Sequence, residues 1–334
     1  MKREFIKQNV GIDVSKDDFK VALCVLMSDF HSVVRGSRTF KNTHKGFEEL
    51  QSWLKNKSDS ALPLSFTMEA TGVYYEGLAY YLHEQRYTVY VVLPNQAKKY
   101  GQSLGLKSKT DKIDAAVLAQ MGLKHNLRTW QPVSSHLLGL KQLVREREAL
   151  VQNRVSAHNR LHAYTHQGKP NEDSIVRTRQ YIEFLKQQIK QIEKEINDFI
   201  NRDKSLKSKI KYLTSIPGVG LLTAVIIVAE TNGFETFENI KQLTSYAGLD
   251  IRIQQSGKWK GHTKITKQGN SHIRKALYMA AVSKTTNCVF TKQFYERLAK
   301  KKGKNMIALI AVMRKLLGLM YSLWKNEQMY KIPA

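Results

Sequence analysis

The order of apolar segments in the first 124 residues constrains the fold more than any other feature of the chain. Segments rich in β-branched and aromatic residues alternate with segments whose apolar residues recur at helical spacing. Strands are predicted at 9–14, 19–27, 31–40, 62–70 and 87–93, and helices at 44–57, 73–85 and 111–124. Three successive hairpin strands followed by strand–helix alternation predict a mixed sheet flanked by helices.

A second pattern follows residue 135, where Pro170 is the only proline before Ile200. Apolar residues recur there at alternating spacings of three and four, as in the seam of a coiled coil. The seam consists of Ile182, Leu185, Ile189, Ile192, Ile196 and Phe199. Gly168 and Pro170 would break the chain between two antiparallel arms. The pattern fits an intramolecular helical hairpin and equally a coiled coil that joins two copies.

The charge balance points to a polyanionic partner. The chain has 54 Lys and Arg against 28 Asp and Glu, a net charge of +26. From residue 206 to the end there are 22 Lys and Arg and only six Asp and Glu. An excess this large on a folded protein indicates nucleic acid, with a membrane surface or a ribosome-like scaffold as alternatives.

The cysteines and the apolar segments argue against several other classes of protein. Cys24 and Cys288 are the only cysteines and lie far apart, which argues against a disulfide framework or a CxxC zinc site and fits a reducing cytoplasm. The N-terminal residues are polar rather than an apolar signal region. The apolar run from Met306 to Trp324 carries Arg314 and Lys315 at its centre, so it predicts a buried helix rather than a membrane span.

Four carboxylates accompany the predicted sheet. Asp13 lies among apolar neighbours in GIDVSK, Glu69 ends the strand in MEATGVY, and Asp111 and Asp114 stand three apart at the helix start in KTDKIDA. Four gathered carboxylates repel one another unless a cation neutralises them, and such oxygen ligands suit Mg²⁺ or Mn²⁺. Two such ions about 4 Å apart assist phosphoryl transfer. Alternatively, Asp111 and Asp114 are only acids favoured by the helix dipole.

These segments resemble the motifs of the IS110/IS1111 family of DEDD transposases, which includes the Piv-type DNA invertases. GIDVSK, MEATGVY and KTDKIDA match the family motifs in their residues and in their order, and the resemblance extends over essentially the whole chain. It implies an RNase H/RuvC-like N-terminal domain. It also implies that Asp13, Glu69, Asp111 and Asp114 bind divalent metal and act in catalysis.

A glycine-rich turn, SIPGVGLLTA, opens an apolar helix at residues 215–224. Gly218 and Gly220 would let backbone N–H groups approach a phosphate, and the helix dipole favours an anion there. The turn resembles that of a helix-hairpin-helix element. A plain turn between two helices is an equal alternative.

A strongly basic stretch follows at residues 245–277, SYAGLDIRIQQSGKWKGHTKITKQGNSHIRKAL. Basic side chains contact phosphates, and Trp259 can stack on a base, although clustered charges can also form a solvated face. The basic residues are Arg252, Lys258, Lys260, Lys264, Lys267, Arg274 and Lys275. Judged from its sequence neighbours alone, Ser256, which precedes Gly257, is a loop residue, and the sequence assigns no general base to it.

The basic stretch also resembles the C-terminal transposase domain of the same family. That resemblance implies that Ser256 is the nucleophile that attacks DNA phosphate. Many members carry proline where this chain has Ile251, a departure that concerns loop rigidity more than chemistry.

These features predict three domains: an RNase H/RuvC-like domain over 1–135, a helical coiled-coil arm over 136–205, and a mainly helical, basic transposase domain over 206–334. The resemblance implies an enzyme that cleaves and exchanges the DNA strands of an insertion sequence, on donor and target DNA. It further implies a structured non-coding guide RNA and a dimeric or tetrameric assembly with composite sites.

Three rival functions stay open. A site-specific invertase of the same family would share every residue above. A RuvC-type junction endonuclease would need the acids but not Ser256. A non-enzymatic nucleic-acid-binding protein would need neither.

Overall fold

The computed structural model describes residues 4–105, 110–132, 134–253, 255–257, 259–261 and 264–331. Within them the chain forms two compact units, one up to Pro132 and one from Ser134 onward. The helices of the predicted arm cluster with the second unit. The three-part division of the chain stays a prediction.

The first unit is a five-stranded sheet covered by helices. Its elements are β1 (Phe5–Val14), β2 (Asp18–Met27), β3 (Ser32–Lys41), α1 (His44–Lys55), β4 (Leu64–Glu69), α2 (Glu76–Glu84), β5 (Thr88–Val92), α3 (Pro94–Ser103) and α4 (Asp111–Lys124). The strand order is β3-β2-β1-β4-β5. Strand β2 is antiparallel to β1 and β3, whereas β4 is parallel to β1 and β5. This order confirms the predicted RNase H/RuvC-like fold.

The two faces of β1 differ because side chains alternate along a strand. Val10, Ile12 and Val14 are buried in an apolar cluster that includes residues of α1 and α2. The intervening residues, Gly11 and Asp13, therefore face the opposite side, where α4 packs. An acid can sit in the middle of this strand because only one face of the strand enters the apolar core.

The sequence patterns predict no helix between the strand at 87–93, which ends just before Pro94, and the helix at 111–124. The structure has α3 there. Proline is well accepted at the first position of a helix, where its missing N–H needs no partner. Here Pro94 begins α3, and the Gln96 side chain accepts a hydrogen bond from the Leu93 N–H at 3.2 Å.

The second unit is mainly helical. Its elements are α5 (Ser135–Thr165), α6 (Glu172–Arg202), α7 (Lys204–Thr214), α8 (Leu221–Glu230), α9 (Ile240–Tyr246), β6 (Ile251–Arg252), β7 (Gln255–Ser256), β8 (Trp259–Lys260), β9 (Lys264–Ile265), α10 (Ser271–Asn287), α11 (Val289–Lys302) and α12 (Asn305–Asn326).

Helices α5 and α6 pack against each other after a short connection, as the hairpin interpretation predicts. The buried residues of α6 include the predicted seam from Ile182 to Ile196, and Phe199 is half-buried. Tyr181 and Phe184 on the same helix are exposed. A coiled coil that joins two copies stays a prediction.

Helix α12 is long and apolar enough to cross a membrane, judged by length and composition alone. In the structure it belongs to the apolar core of the second unit, where Val312, Leu316 and Met320 are buried against α8 and α10 residues. It is therefore the core helix that the sequence predicted.

Candidate active site

Two glycines bring α4 directly onto the sheet. A Cβ atom at Gly11 would lie 1.9 Å from the Ala115 carbonyl oxygen and 2.2 Å from the Ala119 nitrogen. At the other end of the contact, a Cβ at Gly122 would lie 2.2 Å from Thr67 Oγ1. Only glycine fits at either place, and this close approach fixes the start of α4 relative to Asp13.

A buried polar ladder fixes β1 against β4 on the same face. The Asn9 side chain donates to Ser65 Oγ at 2.7 Å and accepts from Thr67 Oγ1 at 3.0 Å. Residues two apart on a strand share a face. Asp13 and Glu69 therefore both face the α4 side of the sheet.

The start of α4 supplies the other two acids. Thr110 is the N-cap residue and accepts a hydrogen bond from the Ile113 N–H at 3.3 Å. Asp111 and Asp114 occupy the first turn, where the helix dipole favours negative charge. The cap determines where α4 begins, and so which residues its first turn presents.

The other three carboxylates act electrostatically on Asp13. Burial raises the pKa of Asp13 from 3.8 to about 6, and the negative charges of Asp111, Asp114 and Glu69 add to the rise. Lys20 opposes them. The charges of the other three acids therefore reach Asp13, as the sequence prediction of one shared site requires, and their joint role stays a prediction.

Lys20 is a site residue that the sequence analysis missed. It pairs with Asp13 across β1 and β2, and its ammonium donates a hydrogen bond to Asp111 Oδ2. That hydrogen bond raises the pKa of Lys20. The available signal was its position as the only charged residue between Phe19 and Met27 of an apolar strand.

Asp13, Glu69, Asp111 and Asp114, which we call the acidic edge, offer the oxygen donors that suit a divalent cation. Their side chains are not arranged around a single metal position. Among the described residues, no three His, Cys, Asp or Glu side chains form a metal-binding group. Asp111 is bound to Lys20, and Glu69 accepts a hydrogen bond from Thr71 Oγ1 at 2.8 Å. Burial first, and the neighbouring negative charges second, raise the pKa of Asp13, and a bound cation would oppose that rise.

Ser256 lies in the second unit, on two nested antiparallel strand pairs that we call the basic hairpin (β6–β9). Strand β6 pairs with β9 at its base, and β7 pairs with β8 at its tip. Ser256 pairs with Trp259 across the tip and is exposed, and Gly257 turns the chain with φ of +54°. The tip therefore presents the serine hydroxyl and an indole that is 60% exposed to whatever binds it.

The base of the basic hairpin is closed by glycine and arginine. A Cβ at Gly269 would lie 2.4 Å from the Tyr246 carbonyl oxygen, so the two ends of the hairpin meet backbone to backbone. Arg274 donates to the carbonyl oxygens of Ala247 and Gly269, at 2.9 and 3.0 Å. Arg274, predicted to bind nucleic acid, thus has a structural bond to each end of the hairpin.

A buried acid, also missed by the sequence analysis, supports this base. The Glu230 carboxylate receives two hydrogen bonds from Arg145, at 2.8 and 3.0 Å, and one from Asn270 Nδ2 at 2.7 Å. Burial works against ionisation, but these bonds outweigh it and lower the pKa of Glu230. Asn270 also caps α10 through the His272 and Ile273 N–H groups. No local pattern around Glu230 marked it.

The remaining predicted nucleic-acid contacts occupy varied places. Arg252, Lys264, Lys267 and Lys275 are exposed, and Lys275 bonds to Glu148. Lys260 lies on β8, and Lys258 lies outside the described residues. Their role stays a prediction.

The PGVG turn has one clear packing role. Gly218 has φ of +87°, and a Cβ there would lie 2.6 Å from the backbone nitrogen of Lys284 on α10. Gly220 is the N-cap of α8, and a Cβ there would meet open space. The space beside Gly220 is compatible with a phosphate, which stays a prediction.

Comparison with known proteins matches both units. The IS110-type DEDD transposase family matches residues 10–170, and the IS116/IS110/IS902 transposase family matches residues 210–296. The pilin gene-inverting protein of Moraxella bovis is 31% identical over 324 residues, covering 96% of this chain and 97% of that protein. The transposase for insertion sequence element IS1328 of Yersinia enterocolitica is 22% identical, covering 81% of this chain and 82% of its own.

Among solved structures, T. thermophilus RuvC in complex with a Holliday junction substrate aligns with 37% of this chain and 99% of its own. The identity is 11% and the TM-score 0.29, which adds nothing to what the sheet order already shows. The two family matches and the full-length similarity to the Moraxella protein agree with one another. The chain belongs to the IS110 family of transposases.

Proposed function

We propose that this protein is a metal-dependent DNA recombinase that cuts and rejoins DNA through a covalent bond to Ser256. The observation that carries the proposal is the link between the central strand and the start of α4: Lys20, the cross-strand partner of Asp13, donates a hydrogen bond to Asp111. Asp114 lies in the same first turn of α4 as Asp111, and Glu69 ends the strand beside β1. A fold that gathers several carboxylates at one edge of its sheet gains from binding a divalent cation there.

Asp13, Glu69, Asp111 and Asp114 would hold the metal. A divalent cation such as Mg²⁺, or Mn²⁺, supplies charge stabilisation for phosphoryl transfer when it is bound. Lys20 donates to Oδ2 of Asp111, so the other carboxylate oxygen of Asp111 would be the one offered to a metal. The ammonium of Lys20 would stand beside the acids, where it could contact a DNA phosphate.

Ser256 would carry the covalent step. Its hydroxyl gives up a proton to solvent, and Oγ forms a bond to phosphorus. The adjoining 3′ oxygen leaves and takes a proton from solvent, and the serine keeps the 5′ phosphate. The phosphoester retains the energy of the broken bond, so a 3′ hydroxyl can later attack it and release the serine. The acids and the serine would act on the same phosphodiester, within one chain or across two copies.

The basic hairpin would bind DNA through Arg252, Lys264 and Lys267, with Trp259 stacking on a base. A guide RNA that pairs with donor and target DNA would leave the protein to read backbone and shape. The exposed basic side chains are suited to either nucleic acid. A dimer or tetramer would bring two cleavage sites to one exchange.

The test is a trapping assay on the purified protein. The protein is mixed with Mg²⁺, DNA carrying the element's junction and target, and RNA transcribed from the element's flank. Products are resolved on a denaturing gel for protein–DNA adducts. We expect an adduct with the wild-type chain and none with Ser256→Ala or Asp13→Asn.

Two controls sharpen that assay. Ser245→Ala removes a serine outside the basic hairpin and should keep the adduct. A mixture of Asp13→Asn and Ser256→Ala should restore the adduct only if acids and serine come from different copies. Free nicked DNA that persists in Ser256→Ala contradicts the covalent step and leaves a RuvC-type endonuclease. Full recombination by both variants contradicts the whole proposal.

DNA inversion is a second candidate for the same chemistry. The Moraxella bovis relative, 31% identical over almost the whole chain, is named for inverting a pilin gene. The substrate distinguishes the two functions. A plasmid with two inverted sites gives an inverted segment with an invertase, whereas a transposase inserts the excised element into a separate target.

A further inference from the structure

The junction between α10 and α11 contains a thiol and an amine with no role in the chemistry above. Cys288 ends α10 and is the N-cap residue of α11, and its side chain is partly exposed. Lys284 stands one turn earlier on α10, and the Cys288 N–H donates to the Lys284 carbonyl oxygen at 3.0 Å. One short segment therefore carries both groups.

Lys284 is buried without a hydrogen-bonding partner. Only 6% of its surface is exposed, and its Nζ has no acceptor among the described residues. Nζ lies 4.6 Å from the centre of the Tyr330 ring. A buried ammonium in this setting is costly, so the site favours a negative charge beside it. Burial accordingly lowers the pKa of Lys284, and Cys288 partly offsets that effect.

A cavity of about 380 Å³ adjoins the two groups. Its walls include Phe294 and Leu316, with Lys315 from α12 as a second cation. Together with Cys288 and Lys284 they line a space that admits a small polar reactant to the sulfur. The titratable and charged groups here are Lys284 from α10, Cys288, Lys315 from α12 and Tyr330.

The groups around Cys288 stabilise its thiolate relative to an ordinary cysteine. Burial works against ionisation, but the hydroxyl and N–H of Thr291, the charge of Lys284 and the N–H of Phe290 outweigh it and lower the pKa of Cys288. A thiolate at a helix N-terminus beside a cation is the usual setting of a reactive cysteine. The other cysteine is the opposite case, because burial raises the pKa of Cys24 to about 12.

We propose that Cys288 is a redox modification site, oxidised by hydrogen peroxide to a sulfenic acid, with Lys284 as its positioning charge. The thiolate sulfur attacks one peroxide oxygen, a sulfur–oxygen bond forms and the oxygen–oxygen bond breaks. The sulfur loses two electrons to the peroxide. Hydroxide leaves and takes a proton from Lys284 or solvent to give water.

Modification at this place would act on α11. That helix has no buried residue of its own among its described positions and ends in the basic run Lys300–Lys302. It packs against α12 and α10, with Phe294 against the apolar core of the second unit and Cys288 at its N-terminus. An oxidised sulfur there adds volume and polarity to the junction, and we expect it to loosen α11.

The test measures each thiol separately in the folded full-length chain. Iodoacetamide alkylation at pH 7 is quenched over time and read per cysteine by peptide mass spectrometry, with Cys24 as internal reference. We expect Cys288 to react at least about tenfold faster than Cys24, because the reactive fraction changes about tenfold per unit of pKa. In urea the two thiols should react at equal rates.

Variants then test the role of Lys284. Lys284→Met should slow alkylation of Cys288 at least about threefold at pH 7 and move its pH profile upward, and Lys284→Arg should restore it. Since Lys284 is buried, Thr291→Val provides a second, milder variant with the same expected direction. Dimedone added after equimolar peroxide should label Cys288 in the wild-type chain and not Cys24.

Any one of three results would overturn the proposal. The first is an equal rate of Cys288 alkylation in the wild type, in Lys284→Met and in Thr291→Val. The second is a Cys288 alkylation rate in the native protein no faster than in urea, and the third is no dimedone label at Cys288. Each concerns the thiol alone. None depends on DNA cleavage, so the proposed recombinase function can fail or succeed independently.

Discussion

Asp13 and Ser256 both stand on β-strands, but the strands are of different kinds. Asp13 lies on a ten-residue central strand that is hydrogen-bonded on both sides and covered by α4. Ser256 lies on a two-residue strand at the tip of the basic hairpin, bonded to one neighbour. The close approach at Gly11 holds the acids, whereas a Cβ at Gly257 would meet open space.

The contrast teaches how the two halves of the proposed site become ordered. The acids take their positions when the sheet and α4 fold, because their places follow from strand alternation and from a helix cap. The serine takes its position from a hairpin whose base is anchored, and a Cβ at the neighbouring Gly257 would meet open space. We therefore expect bound nucleic acid, rather than folding, to fix the serine hydroxyl relative to a phosphate.

The largest effect expected from this contrast is on stability. Gly11→Ala should lower the free energy of unfolding by about 3–5 kcal/mol, because the added Cβ meets the backbone of α4 and that helix must move. Gly257→Ala should cost only about 1 kcal/mol, from the φ of +54° that alanine adopts poorly. Urea denaturation of the two purified variants measures both.

Equal losses in the two glycine variants would break the comparison. A small loss in Gly11→Ala would mean that α4 is free to shift on the sheet, and the acids would then be no better fixed than the serine. A large loss in Gly257→Ala would mean that the hairpin tip is packed in solution.

A second, smaller effect on stability tests how the base of the basic hairpin is anchored. Glu230→Gln should lower the free energy of unfolding by about 2–3 kcal/mol, because Arg145 loses a buried carboxylate partner. Because the folded pKa of Glu230 lies below 4.5, this contribution is present above pH 4.5. The gap between the wild type and Glu230→Gln should close as pH falls through the folded pKa.

The matched control is Glu238→Gln, an exposed acid that bonds to the Gln242 side chain one turn away. Its loss should be within about 0.5 kcal/mol at any pH. If Glu230→Gln were equally mild at pH 7, the base of the hairpin would not depend on the ion pair. Thermal melts of all three chains at pH 7 and at successive pH values below 4.5 test this.

Much of the first unit could be predicted from the sequence because its patterns are local. Alternation along β1 and a helix cap at Thr110 are visible in a few residues, and the predicted bounds 111–124 of α4 agree with the structure. Pro94 was misleading because proline both ends strands and begins helices. Lys20 was missed because its importance comes from its neighbour across the sheet.

The basic hairpin could be predicted only as a composition. The residues that shape its base, Gly269, Arg274 and Glu230, meet through contacts between segments far apart in sequence. Arg274 shows the consequence: its charge predicted nucleic-acid binding, yet its guanidinium bonds to backbone carbonyls. A cluster of charges indicates a partner without showing which members are free to bind it.

The smallest effect concerns the charge of Asp13 itself. Its folded pKa of about 6 lies above the ordinary value of 3.8, so the ionised form is disfavoured in the fold. The native protein then binds more protons than the unfolded chain between these values, and stability falls as pH rises from about 4 to 6. Above pH 6 the full cost is present, and below pH 4 it is absent.

Asp13→Asn should therefore stabilise the metal-free protein at pH 7.5, in contrast to the glycine and Glu230 variants. The expected gain is about 1–2 kcal/mol, reduced from the full pKa shift because solvent screens a half-exposed group. The gain should disappear near pH 4. Added Mg²⁺ should raise the melting temperature of the wild type and much less that of Asp13→Asn, because a cation bound to the native acids stabilises them. The opposite result would be a lower melting temperature for Asp13→Asn than for the wild type at pH 7.5 without added metal. It would mean that Lys20 already balances the charge of Asp13, and that the acidic edge does not favour binding a cation.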